Sequence, residues 1–183
     1  MIKEIMRSVF IKISHPSIEM HGISFIDLRT EIKMHDGGHI ILGNRVRTNR
    51  RVTFSAIGGK LTVENDVFFN RNVIIVCRDE IFIGSHSAIG PNVVIYDHDH
   101  QYCKDGYEGN LYKCDPIIIG KNVWIGANAA ILRGSHIGDG SIIGAGCVVK
   151  GNIPPYSLVT LDRKLRIVPI DSRIDRANSK NNQ

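Results

Sequence analysis

The sequence predicts an all-β fold, a coil of short parallel strands wound three to a turn. Three observations predict it. From Ile119 an aliphatic residue recurs at every sixth position, at Ile125, Ile131, Ile137, Ile143 and Val149. Glycine follows that residue directly at Gly120, Gly126, Gly138 and Gly144. A second position of the same beat is mostly small or β-branched, at Val123, Ala129, Ser135, Ser141, Cys147 and Ile153. A six-residue period is neither the alternation of an ordinary strand nor the turn of a helix. It fits strand-and-corner units, three of which close one coil and stack on the next.

In chain order, residues 1–20 mix Lys3, Glu4, Arg7 and Lys12 with short apolar stretches and define no regular element. Leu42-Gly43 marks an early coil. Ile57, Val63, Phe69 and Ile75 carry the beat, offset by a two-residue insertion near Ile81. Ile83-Gly84, Ile89-Gly90 and Ile95 continue it. Residues 96–116 break it. They are polar, aromatic and glycine-containing, so they form a protruding loop, and a long excursion from a rigid scaffold is where function concentrates. The beat then runs from Ile119 to about residue 155, giving roughly seven coils and ~35 Å of stacked strands from residue 20 onward. Each aliphatic residue points inward. Each glycine takes a corner where a Cβ would crowd the backbone. The abundance of glycine and β-branched residues argues against helices, and sustained alternation with hairpin turns is absent. Residues 1–170 therefore read as one domain, with 1–20 its least defined part. Residues 171–183, ending Asn-Ser-Lys-Asn-Asn-Gln, read as a flexible tail.

Composition narrows the function. The 183 residues suit one domain, and 43% hydrophobic content suffices for a core. The longest apolar runs, such as Val73–Cys77, fall far short of the ~20 residues of a membrane span. No secretory h-region or cleavage site opens the chain, so a cytoplasmic location is expected. The net charge of +5 comes from scattered Lys and Arg, with small clusters at 45–51 and 163–166. No aromatic stacking pattern accompanies them, which argues against nucleic acid. An anionic cofactor or an acidic glycan suits such a surface. None of the four cysteines forms a Cys-x-x-Cys pair. Cys77 and Cys147 read as core residues. Cys103 and Cys114 flank the loop and could lie near each other, although the expected compartment disfavours a disulfide.

Two segments carry a family resemblance. The run from Ile117 to Ala127, with Asn122-Val123-Trp124-Ile125-Gly126, and the run from Ile137 to Val149 followed by Ile153-Pro154-Pro155 resemble the hexapeptide-repeat acetyltransferases. Tyr96-Asp97-His98-Asp99-His100 resembles the histidine loop of the galactoside, maltose and polysaccharide O-acetyltransferases. The resemblance covers about residues 57–155. It implies a left-handed parallel β-helix, against the usual right-handed crossover, and a homotrimer with its sites in the grooves between neighbours. It implies acetyl-CoA as donor and a sugar or polysaccharide hydroxyl as acceptor, as in capsule, lipopolysaccharide or exopolysaccharide biosynthesis. One departure stands out: the Gly-x-Pro-Ala-like segment that commonly follows Pro-Pro in the family is replaced by Tyr156-Ser157-Leu158-Val159.

The chemistry needs a base, because a sugar hydroxyl attacks a thioester well only as it loses its proton. Histidine suits that task. The resemblance assigns it to His98, which follows the in-phase Ile95; His100 is the second candidate, and solvated loop histidines the bland one. Asp97, Asp99 and Glu108 are all candidates to orient the ring. Asn70 matches the spacing of an acceptor-binding asparagine in galactoside-type enzymes, or supports a corner as part of an Asn ladder with Asn72. The CoA thioester is expected along the edge near Ala127 and Ala145, with Trp124 on the same edge or in trimer packing. Lys150 and Arg166 are the candidate phosphate partners. Three alternatives remain: N-acetylation of an amino sugar, a non-catalytic scaffold, and a metal enzyme like the γ-type carbonic anhydrases. The last carry a His-x4-His pair, which His98-x-His100 does not match, although His86 and His136 are available as further ligands; no metal is expected.

Overall fold

A computed structural model of the chain describes residues 18–104 and 106–161. Residues 1–17, the expected tail at 171–183 and the candidate Arg166 lie outside the described residues.

Seven successive layers of strands wind along one axis. The first layer holds β1 (Ile18–Met20), a bridge from Phe25 to Arg47, and β2 (Glu31–His35). The second holds β3 (His39–Leu42), β4 (Arg47–Thr48) and β5 (Thr53–Ile57), and the third β6 (Lys60–Val63), β7 (Phe68–Phe69) and β8 (Ile74–Cys77). The fourth holds β9 (Glu80–Ile83), β10 (Ala88–Ile89) and β11 (Val94–Tyr96), after which the chain leaves the coil as β12 (His98–Cys103) and β13 (Gly106–Cys114). It returns as β14 (Ile117–Ile119), β15 (Trp124–Ile125) and β16 (Ala130–Leu132), then β17 (His136–Ile137), β18 (Ile142–Ile143) and β19 (Val148–Val149), and ends with β20 (Asn152–Ile153) and β21 (Leu158–Val159).

These strands stack into three parallel sheets. The first face runs β1-β3-β6-β9-β14-β17-β20, the second β4-β7-β10-β15-β18-β21, and the third β2-β5-β8-β11-β16-β19. The architecture is the left-handed parallel β-helix of hexapeptide units that the resemblance implies.

The beat works as read. Ile40, Leu61, Ile81 and Ile117 stack inside the first face, and Phe54, Ile75, Ile95 and Ile131 inside the third, all fully buried. Phe54 meets Phe69 edge to face, with ring centroids 5.0 Å apart, and so locks two faces together. Burying each such side chain is worth about 1.5–3 kcal/mol. The corner glycines behave as expected: a Cβ on Gly126 would stand 2.6 Å from the Ala145 nitrogen of the next layer.

Three expectations are corrected or refined. Ile57 is not an inward position; it lies half-buried at the end of β5, while Phe54 and Ala56 fill the core. The reason is a widened corner. Ile18 pairs with Ile40, Ile40 with Leu61, and Leu61 with Ile81, so the upper layers are longer than the lower ones, where Ile118 pairs with His136 and His136 with Asn152. All the extra residues sit at one corner, between the third and first faces, at 36–38, 58–59 and 78–79, and the excursion leaves from that corner too. Second, the protruding loop, an excursion as expected, has regular structure of its own: it is an antiparallel β-hairpin with a bulge between His100 and Gln101. Third, Cys103 and Cys114 do not approach each other. Cys103 pairs with Gly106 at the hairpin tip and Cys114 with His98 at its base, and both thiols are free and exposed.

Candidate active site at the hairpin corner

Strand alternation sorts the residues 97–100 into two sets. Asp97 and Asp99 reach back to the coil, and His98 and His100 meet Tyr112. Asp97 is fully buried against the widened corner of the layer above. Its carboxylate accepts from the backbone amide of Arg78 at 2.9 Å and of Asp79 at 2.8 Å. His98 Nδ1 lies 3.0 Å from Asp97 Oδ1. Burial works to raise the Asp97 pKa, but hydrogen bonds from His98, from the two amides and from the Cys77 thiol outweigh it and hold the carboxyl below its ordinary value. Cys77 feels the converse: burial and the adjacent Asp97 charge push its thiol well above the usual range, so it stays protonated.

The His98 side chain is 11% exposed. It stands edge-on to Tyr96 and Tyr112, with ring centroids 5.8 Å and 5.5 Å away. With Nδ1 held by a carboxylate and the ring walled by two tyrosines, the imidazole has a fixed orientation. Tyr112 is itself clamped, with the Arg78 guanidinium 3.6 Å from its ring centroid. His100 is more exposed and lies 4.8 Å from the same ring.

Below the hairpin opens a cleft of about 670 Å³, lined by Asp99, His100, Gln101, Tyr102, Lys113, Arg133 and Lys150. Arg133 bonds Asp99 and reaches Asp115 at 3.3 Å, tying the hairpin to the layer beneath. Lys150 Nζ lies 3.8 Å from Asp99.

The expected site residues fall into three places. His98, His100 and Lys150 gather at the hairpin corner. Trp124 projects from the second face, exposed, in ladder with Ala88 and Ile142. Asn70, Ala127 and Ala145 line the corner between the second and third faces, and one chain does not bring them to His98. The Asn70 amide oxygen accepts from Asn49 at 3.0 Å and from the Arg71 amide at 2.8 Å, so its ladder partner is Asn49 and not Asn72. Of the candidate orienters, Asp97 holds the ring, Asp99 pairs with Arg133, and the Glu108 side chain lies outside the described residues. His86 sits near Asp66 on another corner and His136 on the first face. Among the described residues no group of three or more His, Cys, Asp or Glu stands together as a metal site, and no helix is long and apolar enough to cross a membrane.

Reading the sequence missed Arg78, Tyr112 and Arg133. Arg133 carried a signal, because Leu132 stacks under Tyr96 and places Arg133 beneath Asp97 at the same corner. Tyr112 carried none, since its place depends on the hairpin register.

The chain is similar in sequence and fold to known proteins. The sequence model of the family described as bacterial transferase hexapeptide (six repeats) matches residues 116–151. The galactoside O-acetyltransferase of Lactococcus lactis subsp. lactis (strain IL1403) is 34% identical over 102 residues, covering 55% of this chain and 49% of that protein. The putative lipopolysaccharide biosynthesis O-acetyl transferase WbbJ of Escherichia coli (strain K12) is 28% identical over 142 residues, 72% of each chain. A solved structure of the hexapeptide-repeat acetyltransferase VCA0836 from Vibrio cholerae O1 biovar eltor, complexed with acetyl-CoA, superposes with a TM-score of 0.53 at 26% identity, covering 78% of this chain and 64% of that one. Fold and repeat define a parallel β-helix built of hexapeptide repeats. The chain is thus similar to hexapeptide-repeat acetyltransferases. It spans about half the length of the galactoside O-acetyltransferase it matches.

Proposed function

We propose that the chain transfers the acetyl group of acetyl-CoA to a hydroxyl of a sugar or polysaccharide, with His98 as general base. The observation that carries this reading is the contact between His98 Nδ1 and the buried Asp97 carboxylate. A carboxylate on Nδ1 fixes the tautomer with the proton on that nitrogen, leaving Nε2 to accept. It also stabilises the imidazolium that forms as the acceptor hydroxyl gives up its proton. The acceptor oxygen bonds the thioester carbon, the C–S bond breaks, and the departing thiolate takes the proton from His98. Donors for the oxyanion are sought among backbone amides near Gly126 and Ala127.

Donor binding is proposed at the corner bearing Ala127 and Ala145, whose short side chains leave the backbone open to a pantetheine chain. In one chain that corner is remote from His98. The donor corner is therefore proposed to come from a second copy, as the expected homotrimer would supply it. Trp124, Ile142 and Leu158 support that trimer, forming an exposed apolar stripe down the second face. Supply of acetyl-CoA fits a cytoplasmic enzyme. Lys150 faces Asp99 across the cleft, a place suited to a phosphate or to the acceptor.

A second reading puts the base at His100, because that ring lines the open cleft. The test is thiol release from acetyl-CoA over a panel of glycosides, polysaccharides and amino sugars. Hydroxyl acceptors are expected to be acetylated; turnover of amino sugars alone makes the chain an N-acetyltransferase, and turnover of none defeats the reading.

A further inference from the structure

The corner between the second and third faces changes character along the axis. In its lower layers it carries small residues, Ala127 and Ala145, with Gly146 beside them. In its upper three layers it carries Arg29, then Arg50 and Arg51, then Arg71, all exposed. Successive layers are ~4.8 Å apart, so cations recur at that step in a line parallel to the axis. None of the four guanidinium groups pairs with a carboxylate among the described residues; the nearby Glu31 is bonded to Lys33 at 2.7 Å. By contrast Arg45, on the opposite corner, is held by Asp66.

Arg51 stands against local preference. Its φ is +59°, the left-handed conformation that side chains other than Asn, Asp and Gly seldom adopt. The residues beneath it in the same corner position are Asn72, Asn92 and Asn128, whose amides form a ladder with steps of 3.0 Å from Asn72 to Asn92 and from Asn92 to Asn128. An asparagine at position 51 would fit the backbone and extend that ladder. Arginine ends it and leaves the Asn72 end facing a groove of about 340 Å³, lined by Arg29, Glu31, Arg51, Thr53, Asn72 and Ile74. The left-handed bend belongs to the coil, since Arg45, His86 and Tyr156 also adopt it elsewhere; what position 51 adds is a cation where the layers below carry the asparagine ladder.

We propose that this groove and the arginine line bind an acidic glycan, a sugar chain bearing carboxylates, with its length along the axis. The guanidinium groups meet the carboxylates. Thr53 and Asn72 offer hydrogen bonds to sugar hydroxyls, and Ile74 gives an apolar floor for a ring face. A nucleic acid would bring the same charge, but no aromatic side chain lines the groove to stack its bases. Within one chain the groove lies on a different corner from the hairpin, and the inference stands independently of which histidine transfers a proton.

The test is titration calorimetry of the intact chain with short polygalacturonate, with its fully methyl-esterified form, and with single-stranded DNA of similar charge. Polygalacturonate binding is expected to weaken at least about tenfold on esterification and again at least about tenfold in Arg51→Asn/Arg71→Gln, with a reduced salt dependence. Arg51→Asn alone should melt no lower than the parent, since it extends the ladder, and Arg29→Gln/Arg71→Gln gives a second variant with the left-handed residue untouched. Acetyl-CoA binding should be unchanged in every variant. Equal binding by the ester, undiminished binding in both double variants, tighter binding of DNA, or a parallel loss of acetyl-CoA affinity would each overturn the proposal; the last would make the arginines partners of the CoA phosphates.

Discussion

The guanidinium of Arg78 lies 3.6 Å from the ring centroid of Tyr112, and on that clamped ring lean both histidines of the hairpin. Arg78 belongs to the widened corner of the layer above and Tyr112 to the returning strand, so the pair fixes the hairpin against the solenoid. The Arg78 Nε is buried without a hydrogen-bond partner, which leaves the aromatic face as the group's main compensation. Replacing Tyr112 by Leu should therefore lower kcat about tenfold while leaving the KM for acetyl-CoA nearly unchanged, because the rings lose orientation and not donor contacts. Steady-state kinetics with the acceptor found active would check the split.

Asp97→Asn tests the orienting carboxylate. The amide can place an N–H toward His98 or toward the Arg78 and Asp79 amides, and either choice spoils a bond now made. The rate should fall by up to about four orders of magnitude, the loss seen when the carboxylate orienting a catalytic histidine becomes an amide. Stability should fall by about 1–3 kcal/mol in urea.

The same residue predicts an acid limb in stability. The folded-state carboxyl is held below its ordinary value, while the unfolded chain titrates at about 3.9. The unfolded state therefore takes up the proton first as pH falls. The contribution is complete above the unfolded value and is lost as pH drops through the folded one. Urea midpoints measured from neutral pH downward should show a shallower decline in Asp97→Asn than in the parent.

Gly126→Ala would bring a Cβ to 2.6 Å from the Ala145 nitrogen, and the contact is with backbone, which cannot swing aside. Overpacking of this kind costs about 1–3 kcal/mol. A lowered melting temperature is the expected result.

Trp124→Glu places a charge in the exposed apolar stripe of the second face, beside Ile142 and Leu158. If that stripe joins copies into a trimer, sedimentation should show the variant as monomer at concentrations where the parent associates.

Much of this molecule was legible in its sequence, and the limits have physical causes. The lower layers keep strict six-residue spacing, so Ile119 through Val149 announce their own register. The upper layers blur because their insertions gather at one corner, which is why Ile57 looked inward and is not. The hairpin was recognised as an excursion, yet its pairing was hidden: residues 97–103 are too polar to show which side faces the coil. Asp97 was one of three carboxylates the sequence offered. Only its burial beneath the amides of Arg78 and Asp79 singles it out, and that contact spans neighbouring layers. The placement of Asn70 and Ala127 on one corner and His98 on another follows from counting strands. The proposal that a neighbouring copy completes the site comes from the resemblance and is not visible in the spacing.

The central claim is that the imidazole held by Asp97 takes the acceptor's proton. Its most direct test is the rate of acceptor-dependent thiol release by His98→Ala and His100→Ala, each checked for an intact fold. The account predicts a loss of at least about a hundredfold for His98→Ala and a much smaller loss for His100→Ala. An unchanged rate in His98→Ala with an inactive His100→Ala would contradict it and move the base to the ring that lines the cleft.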